Sequence, residues 1–98
     1  MADTMKDILK LGWKLELATN DDNAERYIFT KDFLFDDNEP DSFITREVDI
    51  DCDKKLKSTA MYFRISERWA ARYLTMPELD VFYAFMKERD NEMRKNSN

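Results

Sequence analysis

Apolar and polar residues alternate one by one along four separate stretches of this chain, and the alternation ends well before the C-terminus. Trp13, Leu15 and Leu17 point one way and Lys14 and Glu16 the other. A period of two marks a strand with one buried face and one wet face. Residues 24–30 repeat the pattern, with Tyr27 and Phe29 set against Arg26, Ile28 and Thr30. The polar run from Thr19 to Asn23 has the composition of a turn, so the first two strands are expected to form a hairpin.

Residues 43–52 alternate again. Ile44, Val48, Ile50 and Cys52 share one face and Thr45, Glu47, Asp49 and Asp51 the other. Arg46 falls on the apolar side; a strand end where it could snorkel, or a bulge, would accommodate it. Asp53-Lys-Lys reads as a turn, and residues 58–65 as a fourth strand with Met61, Phe63 and Ile65 inward. Residues 67–74 fit two periods. Trp69, Ala70, Tyr73 and Leu74 would line a helix, whereas Trp69, Ala71 and Tyr73 would face Ile65, Phe63 and Met61 across a hairpin. The cross-strand match favours a fifth strand.

The ends of the chain follow the helical period. Thr4 is placed to cap a short helix over residues 4–11, with Asp7 at the capping-box position and Gly12 as the stop. Met5, Ile8 and Leu9 would form its buried face. Thr75-Met-Pro-Glu78 is a second capping box, with proline in the first turn. It opens a long helix whose Leu79, Phe82, Tyr83, Met86 and Met93 share a face, with Val81 and Phe85 on a flank. Residues 94–98 are polar and expected to fray. The fold class is α+β: a mostly antiparallel sheet of three to five strands with a short N-terminal and a long C-terminal helix. Ninety-eight residues, 13 of them aromatic, suffice for one such domain spanning 1–98.

The inventory of reactive side chains is thin. There is no histidine, hence no imidazole base or ligand. Cys52 is the lone thiol and Gly12 the lone glycine, which removes disulfides, cysteine zinc cages and Gly-rich phosphate loops. An EF-hand register starting at Asp36 fails, because Pro40 takes its fifth position and Asp41 replaces the turn glycine. Neither an enzyme nor a cofactor nor a metal is expected. No apolar run is long enough to span a membrane and the first residues lack the pattern of a secretory signal, so a cytoplasmic setting is expected.

Charge is the remaining signal. Residues 16–53 hold thirteen acids against three bases, a net of −10, while the whole chain carries −5. Residues 54–75 hold six bases, Lys54, Lys55, Lys57, Arg64, Arg68 and Arg72, against Glu67 alone. On a strand, Glu47, Asp49, Asp51 and Asp53 would project from one face about 6.8 Å apart. With Asp36, Asp37, Glu39 and Asp41 of the preceding loop they form a candidate partner-binding surface for a basic protein, in the manner of a nucleic-acid mimic. Charge runs are more often solvent faces, and on that reading the same acids are the wet face of an amphipathic strand and a solvated turn. Phe33, Phe35, Val81 and Phe85 are a candidate apolar interface if they are not drawn into the core.

In its size, its acidity and its order of elements the chain resembles many small phage-encoded proteins, including anti-CRISPR and other host-defence inhibitors. That resemblance implies a non-enzymatic inhibitor acting on a nucleic-acid-binding or defence protein. A second reading is a homodimeric scaffold in which the acidic and basic stretches pair between copies. A third is weak nucleic-acid binding through residues 54–75, where Arg64, Arg68 and Arg72 are interleaved with Tyr62, Trp69 and Tyr73. The acidic overall charge, with an isoelectric point of about 4.7, argues against direct contact with nucleic acid.

Overall fold

A computed structural model describes residues 3–34, 43–65 and 74–95, with the backbone alone at Phe33, Leu34, Phe43, Ile44 and Ile65. The elements run α1 (Thr4–Lys10), β1 (Lys14–Asn20), β2 (Ala24–Leu34), β3 (Phe43–Asp53), β4 (Ser58–Ile65) and α2 (Met76–Lys95). The four strands form one antiparallel sheet in sequence order, a simple meander. The α+β class and both helices are as the two periodicities predict. The proposed fifth element at 67–74 lies outside the described residues except at Leu74, which packs against the core.

Both helices lie on one side of the sheet. Ile8 of α1, Trp13, Phe29 of β2, Val48 and Ile50 of β3, and Phe82 and Phe85 of α2 make the core. Phe82 stands edge-on to Trp13 with ring centroids 5.0 Å apart and edge-on to Phe29 at 5.5 Å. Phe85 does the same with Tyr27 at 5.0 Å and Phe29 at 5.6 Å. These offset geometries place ring edges on ring faces, as the aromatic quadrupole favours. Met61 and Phe63 of β4 pack at the margin, as their inward parity predicts. Cys52 is fully buried, and that burial raises its thiol pKa, so it behaves as a small apolar filler.

Several local readings are corrected by the structure. Asp3, not Thr4, caps α1: its carboxylate accepts from the Lys6 N–H at 3.0 Å, and Thr4 is buried in the first turn. The helix ends at Lys10, and Gly12 follows with φ of +93°, a conformation that suits glycine. Leu9, expected in the core, is largely exposed. In β1 the alternation breaks at a bulge between Leu15 and Leu17, which puts Leu17 opposite Ile28 on the face away from the helices. The bulge lets Trp13 and Ala18 both lie on the helix side although they differ in parity. β2 continues four residues beyond Thr30, and the turn after β3 covers Lys54–Lys57.

The long helix is rotated from its predicted face. Glu78, Phe82, Phe85 and Met93 are buried, whereas Leu79 is partly exposed and Tyr83 is 66% exposed. The predicted flank is therefore the true seam. Phe85, offered above as an interface residue, is only 2% exposed, and Val81 packs against the core. The side chain of Phe33, and Phe35 altogether, lie outside the described residues.

Arg46 sits neither at a strand end nor at a bulge. It lies inside β3, three residues past its start, in unbroken register with Lys31 and Ile65. It is 6% exposed on the core side and pairs with Glu78 at 3.4 Å. Its guanidinium also lies 5.2 Å from the Trp13 ring centroid, a cation–π contact. Glu78 accepts from Trp13 Nε1 at 2.9 Å and from the Thr75 N–H and hydroxyl at 3.0 and 3.1 Å. The Glu78 N–H donates back to Thr75 Oγ1 at 3.3 Å, which completes the predicted capping box. Lys31 stands 3.8 Å from the same carboxylate and donates to the Leu11 carbonyl at 2.7 Å. One knot thus ties the α1–β1 junction, β2, β3 and the start of α2 together.

Candidate functional site

The other face of the sheet is covered by no element among the described residues. Its composition follows from strand parity and register. One cross-strand row reads Leu17, Ile28, Asp49, Tyr62. The next reads Lys14, Thr30, Glu47, Arg64, and the one on the other side Thr19, Arg26, Asp51, Ala60. Directly opposed residues on one face have Cβ atoms about 4.5–5.5 Å apart, so each row is a set of touching neighbours.

The acids of β3 do share this face, as the alternation predicts, but they are not a free acidic ribbon. Asp49 is 2% exposed, and its Oδ2 accepts from Arg26 Nη2 at 3.2 Å. Arg26 Nε also lies 3.3 Å from Asp51 Oδ1, so one arginine of β2 spans two acids of β3. Arg64 of β4 stands opposite Glu47 and favours its ionised form. Asp53 is spent on the turn: its Oδ1 accepts the Lys55 and Leu56 N–H groups at 2.9 and 3.0 Å. Asp36, Asp37, Glu39 and Asp41 of the proposed site fall outside the described residues, as do Arg68 and Arg72 of the basic stretch.

Sequence reasoning missed Arg26 as the counter-ion of the acidic strand. The hairpin parity contains the signal, since Arg26 belongs to the wet face of β2; the register that sets it beside Asp49 and Asp51 does not follow from parity. Glu16 was also missed as a member of this surface. Its carboxylate accepts from Thr30 Oγ1 at 3.0 Å and lies 3.6 Å from Lys14.

Neutralisation on this face is incomplete. Glu47 titrates above its ordinary value of 4.5, first because its protonated form can donate a hydrogen bond to Asp49, then because it is partly desolvated and repelled by the Asp49 charge. The opposing pull of Arg64 and Arg26 does not cancel this. Glu16, Asp32, Glu47, Asp49 and Asp51 gather here with Lys14, Arg26 and Arg64, and Leu17, Ile28 and Tyr62 add apolar side chains on either side of Asp49. Tyr62, at the β4 end of that row, is 52% exposed.

No protein-family model, curated protein or solved structure matches the chain. Among the described residues no helix is long and apolar enough to cross a membrane. No group of three or more acidic, cysteine or histidine side chains is arranged to hold a metal ion among them either.

Proposed function

We propose that the chain is a non-enzymatic protein-interaction module that docks the open face of its sheet on a basic surface of another protein. The observation that supports this most is the composition of that face: Leu17, Ile28 and Tyr62 lie on either side of Asp49 among more carboxylates than cations, with no described element covering them. Docking patches commonly mix exposed aromatic and aliphatic side chains with polar and charged ones. Glu16, Asp32, Glu47 and Asp51 are the acids a partner would meet, because Asp49 is buried and Asp53 is held in the turn. Excess negative charge would steer a basic partner and bias the association rate.

The finer reading is an inhibitor that takes the place of nucleic acid on a nucleic-acid-binding protein, as some small phage proteins do. It requires that duplex DNA compete with the chain for its partner. The test uses two variants in extract of the native cell. Glu16→Gln/Glu47→Gln/Asp51→Asn removes three of the exposed acids and leaves the Asp49–Arg26 pair; Tyr62→Ser removes the exposed aromatic ring at the β4 end. Wild type is expected to retain a basic protein that is lost at high salt, and both variants to retain far less of it. Equal retention by wild type and variants overturns the proposal. Concentration-dependent sedimentation of the pure chain, abolished by the same variants, would assign the face to a second copy instead.

A further inference from the structure

We propose that Glu47 and Asp49 form a carboxyl–carboxylate pair that shares one proton across the open face of the sheet, so that the charge of this face and the hold of β3 on its neighbours change with pH.

Asp49 is the buried member of the pair. It is 2% exposed; one of its oxygens is paired with Arg26, and the other, Oδ1, is buried with no hydrogen-bond donor among the described residues. A buried acceptor without a donor is costly, and native structures rarely tolerate one. Glu47 lies two residues away on the same face, and its side chain makes the contact with Asp49. Two ionised carboxylates cannot hydrogen-bond each other. A proton on Glu47 converts the contact from repulsion into an O–H donated to Asp49 and gives the buried oxygen its missing partner.

The other charged groups around the pair are accounted for. From β2, Arg26 binds Asp49 Oδ2 and Asp51, and Asp32 lies diagonal to Glu47 with Thr45 Oγ1 donating to its Oδ1 at 2.9 Å. From β4, Arg64 faces Glu47 and Tyr62 faces Asp49. From β1, Lys14 and Glu16 engage each other beyond Thr30. Asp51 lies further along β3 and adds negative charge. Two arginines therefore stand against three β3 acids, and the proton is held at Glu47, the member with access to solvent.

The sign of the pH effect follows. Glu47 is protonated more readily in the folded than in the unfolded chain. Its contribution to stability is present in full below its ordinary value of 4.5 and is lost as pH rises through the folded-state titration. Above that point the face gains a negative charge. This holds whether or not the face docks a partner.

The test follows the side-chain carboxyl carbons of Glu47 and Asp49 by carbon NMR across pH in the whole chain. Glu47 is expected to titrate above 4.5 with the Asp49 signal moving at the same pH. Glu47→Gln, whose amide donates to Asp49 at every pH, is the second arm. Its urea midpoint is expected to match wild type at low pH and to rise above it as pH passes through the Glu47 transition. A Glu47 titration at or below 4.5 overturns the proposal. So does a difference between Glu47→Gln and wild type that is the same at every pH.

Discussion

Phe82 stands edge-on to both Trp13 and Phe29, so it joins the C-terminal helix to the first two strands in one contact set. Truncation leaves a cavity that no neighbour can fill. Phe82→Ala is expected to cost about 3–5 kcal/mol, read as a shift of the urea midpoint. A shift worth less than about 1 kcal/mol would show that the site collapses. Glu78 carries a different kind of weight. Glu78→Ala strips the counter-charge from buried Arg46 and the acceptor from the Trp13 indole. We expect a loss of about 3–5 kcal/mol, against about 1 kcal/mol for Thr75→Ala, which removes only one partner of the cap. Equal losses for the two would mean that the capping box, not the buried pair, gives Glu78 its importance.

At the scale of elements, the β3–β4 hairpin is held by three devices. Asp53 accepts two turn N–H groups, Arg94 of α2 donates to the Lys57 carbonyl at 3.0 Å, and Thr59 of β4 donates to Asp90 at 2.9 Å. The hairpin also contains the one described non-glycine residue at positive φ, Lys57 at +52°. A left-handed conformation costs an L residue about 1–2 kcal/mol, and glycine avoids most of that while losing more chain entropy on folding. Lys57→Gly is therefore expected to stabilise the chain by about 0.5–1 kcal/mol in urea denaturation. Destabilisation would show that the lysine side chain contributes packing. The β1–β2 turn is fixed in a similar way, with Asp21 accepting the Asn23 and Ala24 N–H groups at 2.8 and 2.9 Å. Lys54, in the turn after β3, reaches back to Asn20 and the Asp21 carbonyl.

For the molecule as a whole, the carboxylates divide into two groups with opposite pH signs. Glu78 would be pushed up by burial, but the Thr75 N–H, Arg46, the Thr75 hydroxyl and the Trp13 indole together hold it below its ordinary 4.5. Asp21 is held below 3.8 chiefly by the Asn23 and Ala24 N–H groups, and Asp90 below 3.8 chiefly by Arg94 and Thr59. Each of these three favours the fold above its ordinary value and loses that contribution as pH falls through its folded-state titration. Glu47 acts the other way. Urea midpoints are expected to fall steeply on acidification below about pH 4 and to fall slightly as pH rises through the Glu47 transition, with a maximum between. Glu78→Gln should flatten the acid limb and leave the other unchanged. An acid limb that Glu78→Gln leaves intact would mean that its steepness comes from the surface pairs.

The local pattern of the chain is enough for the class of fold and the order of its elements. Period-two stretches of Val, Ile, Phe and Tyr can bury one face only as strands, and the Thr75–Glu78 box starts a helix wherever it is placed, because its bonds are local. It also marked Arg46 as the misfit and Glu78 as the cap. What it could not express is that these two are partners, since they meet only when β3 and α2 pack against each other. The same holds for the rotation of α2, which buries Phe85 and exposes Tyr83, and for the bulge that turns Leu17 outward. It holds most of all for the acidic face. Parity set Glu47, Asp49 and Asp51 on one side of β3, but only the register with β2 brought Arg26 over two of them and left Glu47 beside a buried carboxylate. Local periodicity depends on neighbours along the chain, whereas counter-ions, desolvation and shared protons depend on neighbours across it.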